Sequence, residues 1–357
     1  MHIDQLDMFD WCGDEQMLIE VELFQTVGVS KPCPYIQITT KRSRHLLGPR
    51  CNGFDVHRSL LGQGNHSCNT PTTSKEWTGR RLPAMGQLLC SYALDHSVQL
   101  SIKTHLLYET PQACDLLLQV EAMNDSAQTC RATRLMLDPV SVSYELDGEE
   151  GLGKRRWVTA APRFECHYET TVEVTRAAED IATLNETPRK QIPGDIIKYM
   201  MPSRYCHSEL FLDFVATQFA DLSGGVLIAA MRDWIHGNFT YDAGASFAGT
   251  TATDSFACLA GVCRDYAHVL IAFARAAGIP ARFVSVYAPD VTPQDFHAVV
   301  EVYLNGAWHI VDPTGMAAAP DIVRICVGRD AADASFMTSY GWMELREQSV
   351  EVKRVPG

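Results

Sequence analysis

Two β-rich runs meet at Asn305-Gly306, and that junction constrains the fold more than any other stretch of this 357-residue chain. Phe296 to Leu304 reads Phe-His-Ala-Val-Val-Glu-Val-Tyr-Leu, and Ala307 to Pro313 reads Ala-Trp-His-Ile-Val-Asp-Pro. Asn-Gly between such runs signals a two-residue hairpin with a type I′ turn, which needs positive φ at both central positions. With that turn Leu304 faces Ala307, and counting outward puts Val299 opposite Asp312. His297 lies two residues from Val299, so it shares a face with Asp312 as a diagonal neighbour. Such neighbours are roughly 7–8 Å apart, a gap that two polar side chains can bridge. His309 has the opposite parity and is predicted on the other face.

Upstream, Gly261-Val-Cys-Arg-Asp-Tyr-Ala-His268 places Cys263 at the start of a predicted helix. Val269 to Ala277 contains no breaker; Gly278 then stands at the capping position and Pro280 blocks continuation. A thiol in the first turn faces unpaired N–H groups and the positive end of the helix dipole, both of which favour the nucleophilic thiolate. The competing reading is a small core residue, since cysteine is among the most buried types. The hairpin weighs against it. A helix-start Cys, a strand His and an Asp able to orient that His form an activated nucleophile, so the predicted catalytic set is Cys263, His297 and Asp312. Nearby polar residues take plainer roles. Asp265 reads as a first-turn acid favourable to the dipole, and His236 as a cation at a helix C-terminus. His268, about 140° round the helix from Cys263, reads as a core or supporting group. Glu301 reads as a solvated or structural acid.

The block from Asp254 to Thr314 closely resembles the transglutaminase-like core, a branch of the papain-type Cys-His-Asp fold. The resemblance rests on Gly261-Val262-Cys263, Gly278-Ile279-Pro280-Ala281-Arg282, His297-Ala298-Val299-Val300-Glu301-Val302 and Trp308-His309-Ile310-Val311-Asp312-Pro313-Thr314. It implies a nucleophile at Cys263, a base at His297 and an orienting acid at Asp312, the same three residues. A weaker resemblance to bacterial transglutaminase-like proteins reaches upstream to about Leu100 and downstream through Asp333. The implied chemistry is thiol-dependent acyl transfer on a peptide or protein amide through a thioester, with hydrolysis by a cysteine peptidase or amidase favoured. An amine acceptor would instead give transglutaminase-type cross-linking, and an acyl-coenzyme A donor would give arylamine acetyltransferase-like transfer. A non-enzymatic alternative is a pseudoenzyme serving as an interaction module, against which the intact triad argues. The Cys263 N–H is a natural oxyanion donor. Trp234 and Tyr241 are the candidates for a second.

The expected fold class is α+β. A papain-like core at residues 201–357, its Cys-bearing helix packed on an antiparallel sheet, follows a β-rich, sandwich-like domain at 98–177 and a linker at 178–200. Strands are predicted at Leu100 to Tyr108, Asp115 to Val120, Arg131 to Leu137, Val140 to Leu146 and Phe164 to Val174. Helices are predicted at Ser208 to Ala220 and Val226 to Ile235, split by Ser223-Gly224-Gly225. The small, polar loop Ala243 to Thr253 is a candidate lining for the site mouth. Residues 1–97 show no sustained period and read as an irregular extension, disordered or preceding a true start near Met85.

Composition excludes several function classes. With 46% hydrophobic residues the chain has ample material for two packed domains. Met1 to Gly13 carries three aspartates and no basic or apolar export signal, so the twelve cysteines are expected as thiols in a reducing cytoplasm. No apolar run approaches the roughly 20 residues of a membrane span. A net charge of −13 disfavours nucleic-acid binding. There is no His-Glu-x-x-His, paired Cys-x-x-Cys or EF-hand loop, and no metal or cofactor is expected. Gly224-Gly225 resembles a phosphate loop only faintly, lacking the Lys-Ser/Thr.

Overall fold

The computed structural model describes residues 97–356, so the expectations for residues 1–96 lie outside the described residues. Four strands come first: β1 (Val98–Glu109), β2 (Cys114–Leu118), β3 (Gln128–Asp147) and β4 (Lys154–Val174). Short helices α1 (Leu212–Gln218) and α2 (Gly224–Asn238) follow. Then come β5 (Thr240–Tyr241), α3 (Ala252–Cys258), β6 (Ala260–Gly261) and the central helix α4 (Cys263–Ala276). The C-terminal part holds β7 (Ala281–Tyr287), β8 (His297–Leu304), β9 (Ala307–Val311), β10 (Val323–Gly328), α5 (Ala331–Ala334), β11 (Met337–Ser339) and β12 (Glu344–Arg354).

The β-rich part is one antiparallel sheet in the order β11-β2-β4-β1-β12, with β3 also paired to β4. Two strands are longer than their sequence suggests. β3 runs straight through Asp138-Pro139, where two separate strands were expected, and β4 reaches back to Lys154 from the predicted start at Phe164. Each is held by the other: their pairing resumes beyond the register shifts near Asp138 and Val140. Alternation then sorts the faces. Leu100, Ile102, Leu106, Phe164, Tyr168 and Val172 are buried on one side, while Lys103, His105, Glu165, His167 and Glu169 point outward. At about 1.5–3 kcal/mol for each large side chain taken out of water, the inner face supplies the main driving force for this half.

A second antiparallel sheet, in the order β10-β7-β8-β9, carries the hairpin. Every residue of β7 and β8 is buried, as expected for strands covered on both faces. α4 lies on them, with Val269 to Ala274 fully buried. One hydrophobic cluster joins this helix, both sheets and α2. Tyr287 of β7 ties the sheets together: its hydroxyl donates to Val120 O at 2.7 Å and accepts from Thr104 Oγ1 at 3.1 Å. β12, expected within the C-terminal part, returns to the first sheet beside β1. Among the described residues no helix is long and apolar enough to cross a membrane.

The 178–200 segment is made of short 3₁₀ turns laid against the hairpin tip. Asn185 N–H donates to Asn305 Oδ1 at 3.0 Å, and Gly306 N–H donates to Thr187 Oγ1 at 2.9 Å. The same segment crosses the start of α2, which accounts for the Gly224-Gly225 pair as packing and not as a phosphate loop. Gly225 N–H donates to Leu184 O at 2.8 Å, and a Cβ at Gly225 would stand 1.7 Å from Ile181 O. Both partners are backbone, so neither can swing away. Gly225→Ala is therefore expected to cost about 3 kcal/mol or more, the upper end of ordinary overpacking, and to lower Tm by roughly 6–12 °C. A thermal melt checks it; an unchanged Tm would mean that the segment moves freely aside.

Candidate active site

The start of α4 is built by its own sequence. The Asp265 side chain accepts from Val262 N–H at 2.9 Å, satisfying a backbone donor at the helix entrance. Asp265 is fully buried and pairs with Arg264 at 3.1 Å, so the first-turn acid is a structural one. Arg264 also donates to Ser246 Oγ at 2.9 Å and Phe247 O at 2.6 Å. That ties the loop after Tyr241 to the helix start, beside the half-buried Cys263.

The hairpin has the expected register. Leu304 pairs with Ala307 and Val300 with Val311, and Asn305 and Gly306 both have positive φ, at 49° and 76°. His297 Nε2 and Asp312 Oδ2 meet at 2.9 Å, with the two residues only 2% and 8% exposed. Asp312 is further clamped by Thr314 N–H at 2.8 Å and Thr314 Oγ1 at 2.7 Å on Oδ1, and by Ala317 N–H at 2.8 Å on Oδ2. Burial alone would raise this carboxyl, but the hydrogen bonds from His297 and Thr314 outweigh it and hold the group below its ordinary value. Burial likewise opposes a charged His297. Asp312 and then Cys263 overcome it, and the imidazole is pushed up to about 10. The other ring nitrogen, Nδ1, is buried without a hydrogen-bond partner, leaving it available to the thiol.

The remaining polar residues separate cleanly. His309 lies on the other face, bound to Glu179 at 2.6 Å and to Leu304 O at 3.0 Å. His268 stacks on Tyr205 at 5.1 Å and accepts from Ala331 N–H at 3.1 Å; burial keeps it well below its ordinary pKa and hence neutral. Glu301 is buried between Arg282 at 2.7 Å and Arg324 at 2.6 Å, a structural charge cluster. His236, expected as a helix-end cation, donates from Nδ1 to Thr314 O at 3.0 Å, bracing the turn after Asp312.

Of the two candidates for a second donor, Tyr241 pairs in the β5-β6 ladder with Gly261, two residues before Cys263. Burial chiefly, then the charge of Cys263, raises the Tyr241 phenol far above its ordinary value. Trp234 instead packs among Phe214, Phe256 and Phe273, with ring centroids 5.2–5.8 Å away. Sequence reasoning missed Asp295, whose charge acts on Tyr241, and the Arg264 tie. A cleft of about 330 Å³ touches Asp312, Arg232 and Asp180 but neither Cys263 nor His297, so it is not the mouth over the thiol.

Comparison with known proteins bears on the family and the fold. The Transglutaminase-like superfamily model matches residues 223–313, from the start of α2 to just past Asp312. A crystal structure described as that of "a Putative Cysteine Protease from Cytophaga hutchinsonii" is 30% identical, with a TM-score of 0.70. The match covers 73% of this chain and 92% of that one. The chain belongs to the transglutaminase-like superfamily. An uncharacterized protein of Mycobacterium leprae is 28% identical over 118 residues, covering 30% of this chain and 42% of its own length. The chain thus spans under half of that relative. As a transglutaminase-like protein it places Tyr241, Cys263, His297 and Asp312 inside the matched region, and its first sheet outside it.

Proposed function

We propose that the protein is a cysteine peptidase or amidase acting by thiol-dependent acyl transfer, with Cys263 as nucleophile, His297 as general base and acid, and Asp312 as orienting acid. The observation that carries this reading is the buried 2.9 Å contact between His297 Nε2 and Asp312, which leaves Nδ1 for Cys263. Nδ1 takes the thiol proton, and the thiolate attacks the amide carbonyl carbon. The oxyanion that forms is met by the Cys263 N–H and the Tyr241 hydroxyl, both neutral donors. The imidazolium then gives its proton to the amide nitrogen, the C–N bond breaks, and a thioester remains. Water, deprotonated by His297, attacks the thioester and releases the acid and Cys263. Hydrolysis is favoured over amine transfer by the likeness to a structure described as "a Putative Cysteine Protease", at 30% identity over most of both chains.

Timed alkylation with iodoacetamide and peptide mapping tests the assignment. Burial pushes the thiols of Cys166, Cys206 and Cys326 up to about 12, and that of Cys130 to about 11, so these react slowly. Cys263 is expected to be modified far faster. Equal labelling of the thiols, or protection of Cys263 in the native protein, overturns the reading. Tyr241→Phe is expected to lower kcat by about 10²–10³-fold with little change in KM, the loss of one oxyanion donor. An unchanged kcat would put that donor elsewhere.

A further inference from the structure

Among the described residues, one side-chain set outside the triad has the make-up of a metal centre. His105 on β1 and His167 on β4 are direct cross-strand partners on the outer face of the first sheet. Their rings stack 4.3 Å apart, with planes inclined by 14°. Glu165, on the same face and diagonal to His105, turns a single oxygen onto both Nε2 atoms, at 2.9 Å and 3.0 Å. All three donor atoms fall within 4.8 Å of one another. Behind His105, its Nδ1 lies 3.6 Å from Glu347 Oε1 on β12.

We propose that His105, Glu165 and His167 bind a divalent late-transition metal ion of the zinc class, with water completing the coordination and Glu347 holding His105 from behind. Two imidazoles and one carboxylate suit zinc and its neighbours; calcium and magnesium take oxygen donors throughout. A tetrahedral ion with ligands at 2.0–2.1 Å spaces its donor atoms by about 3.3 Å, so Glu165 has to withdraw slightly and the two stacked rings have to tilt until their in-plane lone pairs converge. In the metal-free protein both Nε2–H groups donate to Glu165. Binding requires bare Nε2 lone pairs, which each neutral ring provides by carrying its proton on Nδ1 instead. For His105 that proton meets Glu347, the carboxylate–histidine–metal arrangement that fixes the tautomer and strengthens the ligand. The ligands stand on hydrogen-bonded strands, so their spacing is set before any ion arrives. Asp138, paired with Glu165 from β3, adds negative charge alongside, while Arg163 pairs with the other Glu165 oxygen at 3.3 Å. The usual motifs do not find such a site, because its histidines are neighbours across strands and not along the chain.

Cobalt(II) titration of the chelator-stripped full chain provides the test, since its d–d bands report nitrogen and oxygen ligation while thiolate ligation adds charge-transfer bands. One equivalent is expected to bind without thiolate bands. His105→Gln or His167→Gln is expected to weaken binding at least ~100-fold, and Glu347→Gln by about 10–100-fold. Equal affinity in wild type and both histidine variants, or thiolate bands alone, overturns the proposal. Both histidines face outward, so the variants are expected to keep the wild-type Tm. Should they not, zinc-soaked crystals of the unsubstituted chain decide: an anomalous peak at about 2.0–2.1 Å from both Nε2 atoms supports the site, and its absence rejects it.

Discussion

Cys263→Ala is expected to reduce amide hydrolysis to near background, a loss of about 10⁶-fold by analogy with nucleophile removal in a serine hydrolase. That corresponds to about 8 kcal/mol of transition-state stabilisation. The proposed base and oxyanion donors remain in place, but the buried thiols among the described residues are poor substitutes. Cys166, Cys206 and Cys326 are buried, with thiols pushed up to about 12. Cys263 itself is half-buried at the helix entrance, so trimming it to alanine should shift Tm by no more than a few degrees. Steady-state turnover on a peptide amide, measured beside a thermal melt, checks both halves. Activity above a per cent of wild type in a folded variant would move the nucleophile to another residue.

Asp312→Asn is expected to lower kcat by at least ~10²-fold, approaching the about 10⁴-fold lost when a serine triad's Asp is changed to Asn. The amide offers His297 Nε2 either an oxygen or an N–H, and only the first keeps the tautomer the reaction needs. A pH signature accompanies the loss. Below the ordinary histidine value of about 6.5 the imidazole is protonated in both folded and unfolded chains, so its full stabilising contribution is present. Between that value and about 10 the folded protein holds a proton that the unfolded chain has released, and stability falls as pH rises. Leaving-group protonation fails over the same upper range, which places the alkaline limb of kcat near pH 10. In Asp312→Asn the largest contribution raising the imidazole is gone, so burial dominates and the limb should move down. His309→Gln, on the other face of the hairpin, should do neither. An unmoved limb in Asp312→Asn would show that another group sets the His297 proton.

How much of this was legible in the sequence depends on the range of the interactions involved. The hairpin was, because Asn305-Gly306 fixes its register locally and parity then sends His297 and His309 to opposite faces. Cys263 was, because a helix entrance is written within a few residues. The first half of β4 was not: Pro162 interrupts its alternation, and it is a strand because β2 and β3 flank it. Nor was β12, whose Glu-Leu-Arg-Glu-Gln-Ser-Val-Glu-Val-Lys-Arg reads as polar and finds its partner only in β1 at the far end of the described chain. At the site, proximity in sequence left Tyr241 and Trp234 equal. What separates them is the aromatic cluster that claims Trp234. Glu301 shows the same limit, since only the fold brings Arg282 and Arg324 to either side of it.

The placement of β12 bears on how an open sheet edge is covered. It is the outermost strand beside β1, and such a strand offers a row of backbone donors and acceptors to any passing chain. Here the Gln294 side chain caps that row. Its Nε2 donates to Val352 O at 2.8 Å and its Oε1 accepts from Val352 N–H at 2.9 Å, as a neighbouring strand would. One residue along, Asp295 accepts from Gln348 of the same strand. Both residues lie in the short approach to His297, so the segment that delivers the proposed base also covers part of the first sheet's outer edge.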